Sequence, residues 1–149
     1  MDQATQLLRR LLSAHPCTDI HIPAPRSGQP ITVVTPAGPV RTSHHPSEAC
    51  ITQLISAGRR AADRPFGTAD PTLDAELTVA GRRCRLAAVG PPLAPAVAIT
   101  IRVHPEQHHS LTDLIRGRML PARIAAWVRD RLRAGGALLI AGPRGAGKT

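Results

Sequence analysis

Apolar positions recur with a helical period in three stretches of the chain. In residues 2–15, Leu7, Leu8, Leu11 and Leu12 form one stripe, and Arg9 and Arg10 fall mostly off it. Asp2 is placed to cap this helix and Pro16 to end it. In residues 46–62, Ile51, Leu54 and Ile55 give the buried face. Pro46 suits its first turn, and Arg59 and Arg60 suit the negative end of its macrodipole. In residues 121–133, Ile124, Trp127, Val128 and Leu132 share a face, and Gly135-Gly136 stops the helix. A shorter helix over 111–116 is announced by Ser110-Leu111-Thr112-Asp113, a capping-box-like start.

Elsewhere the period is two. "TDIHI" (18–22) predicts a strand with Ile20 and Ile22 inward. "ITVVTP" and "PVRTS" flank Ala37-Gly38 as a hairpin, and "LDAELTVAG" and "RRCRLAAVG" flank a turn at Gly81. "VAITIRV" (97–103) is a β-branched strand, and the polar stretches 23–30 and 62–72 read as loops. Residues 1–103 therefore predict an α+β domain of five or six short strands and two helices. Residues 104–119 read as a linker, and 120–149 as the start of something different. There "ALLIAG" (137–142) is a continuous apolar run, the pattern of a strand buried on both faces.

That run leads into "GPRGAGKT" (142–149), which matches G-x-x-x-x-G-K-[ST] with Gly142, Gly147, Lys148 and Thr149 in the defining positions. The spacing fits a loop whose successive N–H groups surround nucleotide phosphates, from Gly142 through Pro143, Arg144, Gly145, Ala146 and Gly147 to Lys148 and Thr149. Lys148 would reach the β- and γ-phosphates, and the Thr149 hydroxyl would ligate Mg²⁺ beside a bound ATP. Lys148 is also the chain's single lysine among 19 basic residues, and arginine does not easily replace a compact ammonium inside such a loop. Phosphoryl transfer also needs a Walker B acid downstream. None follows Thr149, so the chain is expected to be a truncated product or a fragment, inactive alone.

Composition adjusts this picture only slightly. The 149 residues suit about one domain. With one Phe, one Trp and no Tyr, the core must come from Leu, Ile, Val and Ala. The net charge of +9 is almost wholly arginine, in runs no longer than two. Without an aromatic stacking set or a single basic helix face, nucleic acid is not the expected partner. Cys17, Cys50 and Cys84 are too widely spaced for a zinc site and read as free thiols of a reducing compartment. No apolar run approaches a membrane span and no signal-peptide core opens the chain, so a soluble, cytoplasmic protein is expected.

The order of α+β domain, linker, two helices and "ALLIAGPRGAGKT" resembles the secretion-superfamily assembly ATPases of type II and type IV secretion and Tad/Flp pilus assembly, most closely their CpaF-like branch. "TDIHI", "AGRRAADRPFGTADPTLDAELTVAGRRCRLAAVGPPLA" and "ITIRVHPEQHHSLTDLI" carry the likeness, which covers about residues 15–149. The resemblance implies an N-domain joined to a RecA-like α/β NTPase domain that begins in 120–149 with its first strand and phosphate loop. It implies a hexameric ring, ATP bound between the lobes, and work with an inner-membrane platform protein at the cytoplasmic side of that membrane. It also carries nucleotide-reaching arginines onto Arg85, before Pro91-Pro92, and onto Arg102, at the linker, the latter in a catalytic role beside Lys148. Val103, Glu76 and Arg144-Gly145-Ala146 depart from the family pattern.

Other readings stand beside these. The chain could be a non-catalytic oligomerisation or protein-interaction module, or a nucleic-acid-directed phosphate-loop NTPase. Asp19 and His21 are a metal pair or, more simply, the exposed side of an amphipathic strand. His44-His45 and Glu106-x-His108-His109 lack the fixed spacing of helical ligands. Trp127 reads as core packing, and Arg102 as a nucleotide contact or as an exposed ion-pair partner of Asp74 or Glu106.

Overall fold

A computed structural model describes residues 2–105 and 109–143. The chain divides into two compact units, Met1–Glu106 and Gln107–Thr149. The first holds helices α1 (Gln3–Ala14) and α2 (Glu48–Ala62), and strands β1 (Asp19–Ile22), β2 (Thr32–Thr35), β3 (Gly38–Arg41), β4 (Thr72–Val79), β5 (Arg82–Val89) and β6 (Ala98–Val103). The second holds α3 (Leu111–Arg116) and α4 (Ala122–Arg133).

The six strands form one sheet in the order β3-β2-β1-β6-β5-β4, with every neighbouring pair antiparallel. Alternation along the strands divides its two faces. Ile20, Ile22, Val33, Leu73, Cys84, Leu86, Ile99 and Ile101 are buried and join Leu8 and Leu11 of α1 and Ile51 and Leu54 of α2 in one core. Each of these aliphatic side chains contributes about 1.5–3 kcal/mol on leaving water. The other face of the sheet is open and polar. An α+β domain is thus what residues 2–105 form, with the core of Leu, Ile and Val that the shortage of aromatics requires.

Local chemistry sets the ends of the elements. Asp2 caps α1 by accepting from the Thr5 N–H at 2.7 Å. The Ala4 N–H donates to Gln53 Oε1 at 3.0 Å, tying the start of α1 to α2. α2 is capped by Ser47, which accepts from the Cys50 N–H at 3.1 Å. Pro46 therefore stands before the cap and not in the first turn, because a hydroxyl able to bond the free N–H groups takes the cap position. The β2–β3 hairpin turns at Pro36-Ala37, since Thr35 pairs with Gly38; Gly38, with φ +121°, opens β3 instead of making the turn. β4 and β5 join through Ala80 and Gly81 at φ +53° and +79°, the two positive angles of a tight twisted hairpin. Gly58 lets α2 lie close to the sheet: a Cβ there would stand 2.9 Å from Leu73 Cδ2 and 3.3 Å from Leu86 Cδ2.

In the second unit, Ser110 and Asp113 form the full capping box at the start of α3. α4 begins at Ala122, with Pro121 as its cap residue. Two expectations fail here. The run 137–142 forms no strand. A strand exists by pairing its N–H and C=O groups, and the described residues of its own unit include no strand to pair with; Leu139 is 92% exposed. Trp127 is not core either. It is 53% exposed, with Arg131 over its ring at 5.6 Å, because no sheet or helix among the described residues of this unit covers that side of α4.

Candidate functional site

The open face of the sheet gathers charge in register. Asp19 of β1 stands opposite Arg102 of β6, Arg102 opposite Arg85 of β5, and Arg85 opposite Glu76 of β4. One row across four strands therefore reads Asp19, Arg102, Arg85, Glu76. The order of the hydrogen bonds explains how tightly the outer pair meets. The Val103 N–H donates to Thr18 C=O at 2.8 Å, so in antiparallel alternation Asp19 and Arg102 fall at a non-hydrogen-bonded position, where side chains approach most closely. Two arginines directly opposite one another repel. The carboxylates flanking them offset that cost.

Each arginine is held differently. Arg102 donates through Nε to Asp19 Oδ1 at 2.9 Å, and among the described residues its Nη groups make no hydrogen bond. Asp19 is itself fixed, accepting from the Thr18 hydroxyl at 2.9 Å, with its side chain 17% exposed. Arg85 is gripped side-on: Nε donates to Asp74 Oδ1 at 2.8 Å and Oδ2 at 3.1 Å, and Nη2 also donates to Oδ2. These bonds hold the Asp74 carboxyl below the ordinary aspartate range and raise the Arg85 guanidinium above its own. The same diagonal joins Arg83 to Glu76 at 3.1 Å. His21 Nδ1 lies 3.2 Å from the Thr100 hydroxyl at the edge of this band.

Arg85 and Arg102 are thus brought together on one exposed face. The partner of Arg102 is Asp19; Asp74 is taken by Arg85, and Glu106 lies outside the described residues. Gly142 and Pro143 are exposed and belong to no helix or strand. Arg144, Gly145, Ala146, Gly147, Lys148 and Thr149 lie outside the described residues, so the phosphate loop and its Mg²⁺ ligand have no geometry here. Among the described residues no cluster of His, Cys, Asp and Glu could hold a metal. The sequence offers Asp19 only beside His21, as a metal pair or an exposed strand residue, and Asp74 only as a partner for Arg102; the pairings Asp19–Arg102 and Asp74–Arg85, and Thr100, are not read from it. The exposed half of each alternating strand contained them, but no local signal distinguished them.

No protein-family model and no curated protein matches the chain. The fold, however, is similar to a solved one, the VirB11 ATPase of the Brucella suis type IV secretion system, crystallised in complex with sulphate. The two share 17% identity with a TM-score of 0.56, over 89% of this chain and 43% of that one. The chain therefore spans less than half the length of the structure it resembles. Among the described residues, no helix is long and apolar enough to cross a membrane.

Proposed function

We propose that this chain is part of an ATP-binding motor subunit of a secretion or pilus-assembly machine, the phosphate loop 142–149 holding ATP and Mg²⁺. Two independent lines support the reading. The chain's fold is similar to part of a type IV secretion ATPase, and G-x-x-x-x-G-K-T stands C-terminal to the six-stranded unit in the same chain. The observation that carries the arginines into this reading is the Arg85–Arg102 pairing across β5 and β6. Two guanidiniums side by side on an exposed face give the bidentate donors that phosphate oxygens accept. In the working motor, Lys148 and Thr149 bind the nucleotide and its cation, and Arg85 and Arg102 supply positive charge to its phosphates. The ring, hexameric in this reading, and an inner-membrane platform as its partner belong to the same proposal, as does a cytoplasmic place beside that membrane. The Tad/Flp branch is its finer form.

Calorimetric titration of the chain with Mg-ATP tests this. Lys148→Ala is expected to weaken binding at least about tenfold, the scale of a lost charge-assisted contact. Equal affinity of wild type and Lys148→Ala would reject the loop as the nucleotide site.

A further inference from the structure

Arg85 and Arg102, the two arginines that stand opposite one another on the open face, are not restrained alike. Arg102 is held by one nitrogen, Nε, against a carboxylate that is itself pinned by Thr18 and mostly shielded. Arg85 has two nitrogens committed to Asp74, and Asp74 is half exposed, 52%, on strand β4 at the end of the sheet order. A guanidinium fixed through Nε alone keeps both Nη groups available as a fork for a second anion. One gripped side-on presents fewer donors, and an arriving anion must displace its carboxylate.

We infer that Asp19 and Asp74 are positioning residues of opposite effect on phosphate recognition: Asp19 presents Arg102 to the anion, and Asp74 withholds Arg85 from it. The inference rests on the reading of these arginines as phosphate contacts. In it, Arg102 meets the anion without rearrangement. Arg85 joins only after exchanging Asp74 for a phosphate oxygen, so the Asp74 carboxylate competes with the nucleotide for the same donors. Exchange is feasible because the pair is exposed, where water and salt screen the attraction and little free energy is lost. It also relieves a constraint, since an anion laid over both guanidiniums neutralises the repulsion that the outer carboxylates offset in its absence.

The test is equilibrium titration of the whole chain with Mg-ATP at fixed ionic strength, with melting temperatures recorded for each variant. Asp74→Asn is expected to tighten binding about two- to fivefold, the size of one exposed ion pair. Asp19→Asn is expected to loosen it by a similar factor, although it removes the same negative charge. In an Arg85→Ala background, Asp74→Asn is expected to change nothing. Tightening by both asparagine variants, or a gain from Asp74→Asn that survives in Arg85→Ala, marks general electrostatics and overturns the inference while leaving the arginines' role intact. Unchanged affinity in both Arg85→Ala and Arg102→Ala overturns the role itself, and the inference with it.

Discussion

Asp74 joins its exposure to a low pKa, and the sign of its effect on stability follows. Its folded-state pKa is depressed, chiefly by hydrogen bonds from Arg85. The stabilisation is therefore fully present above the ordinary aspartate pKa and is lost as pH falls through the lowered one. Asp74→Asn is expected to cost at most about 1 kcal/mol near neutrality, and the difference from wild type should vanish in acid. Urea unfolding at the two pH values checks both size and direction. The cysteines are the opposite case. Cys17, Cys50 and Cys84 are all buried, and burial raises each thiol's pKa. Since the thiolate is the reactive form, alkylation by iodoacetamide is expected only at the rate of unfolding; fast labelling of the native chain would contradict it. Ala80 is one of three described non-glycine residues, with Asp63 and Arg118, that hold a positive φ. An alanine at φ +53° in a two-residue hairpin sits where Asn or Gly is favoured, so Ala80→Asn should raise the unfolding free energy by about 0.5–1 kcal/mol.

At the scale of elements, helix α2 has both its start and its seat defined by single residues. Ser47→Ala removes the side-chain N-cap of α2, and a loss of about 1 kcal/mol is expected in denaturant unfolding. Gly58→Val places methyl groups against Leu73 and Leu86, both buried. Overpacking of about 1–3 kcal/mol is expected, and a valine variant as stable as wild type would mean that α2 does not seat where it is described. Period and capping chemistry made most of these elements legible. The stripe of Leu8 and Leu11, the alternation of Ile20 and Ile22, and Ser110 with Asp113 are all local signals. Positions that depend on competition between neighbours were less so. Whether Pro46 or Ser47 opens α2 turns on which residue offers a side-chain oxygen to the free N–H groups, and proline has none to offer. The run 137–142 has the composition of a buried strand, yet composition does not supply the neighbour a strand needs.

For the molecule as a whole, the core of the first unit draws on residues from Ala4 to Val103 alone. A fragment of residues 1–105 is therefore expected to unfold cooperatively with nearly the melting temperature that the same transition shows in the whole chain; a non-cooperative melt would show that the second unit is needed. The α+β character of that unit could be read from the order of periods. The site could not. Arg85 and Arg102 were visible only as members of a resemblance, and what restrains them was hidden, because Asp19 lies 83 residues from Arg102 and only the strand order places β1 beside β6. The two ends of that order also differ. β3 carries Pro39 opposite Val34, so at that point the rim of the sheet has no N–H to offer. β4, at the other end, has no proline in its eight residues and keeps a full set of donors. Copies that stack by extending one another's sheets need a donor-bearing rim on both sides to keep growing. Here Pro39 removes one of the two outward donors of β3, leaving that of Arg41, so this rim is a poorer template for another strand than β4. A union of two β4 strands with its twofold axis at Ala75 would set Asp74 of one copy against Glu76 of the other, which disfavours that register. Edge-to-edge growth is thereby weakened on one side by a missing donor and on the other by charge.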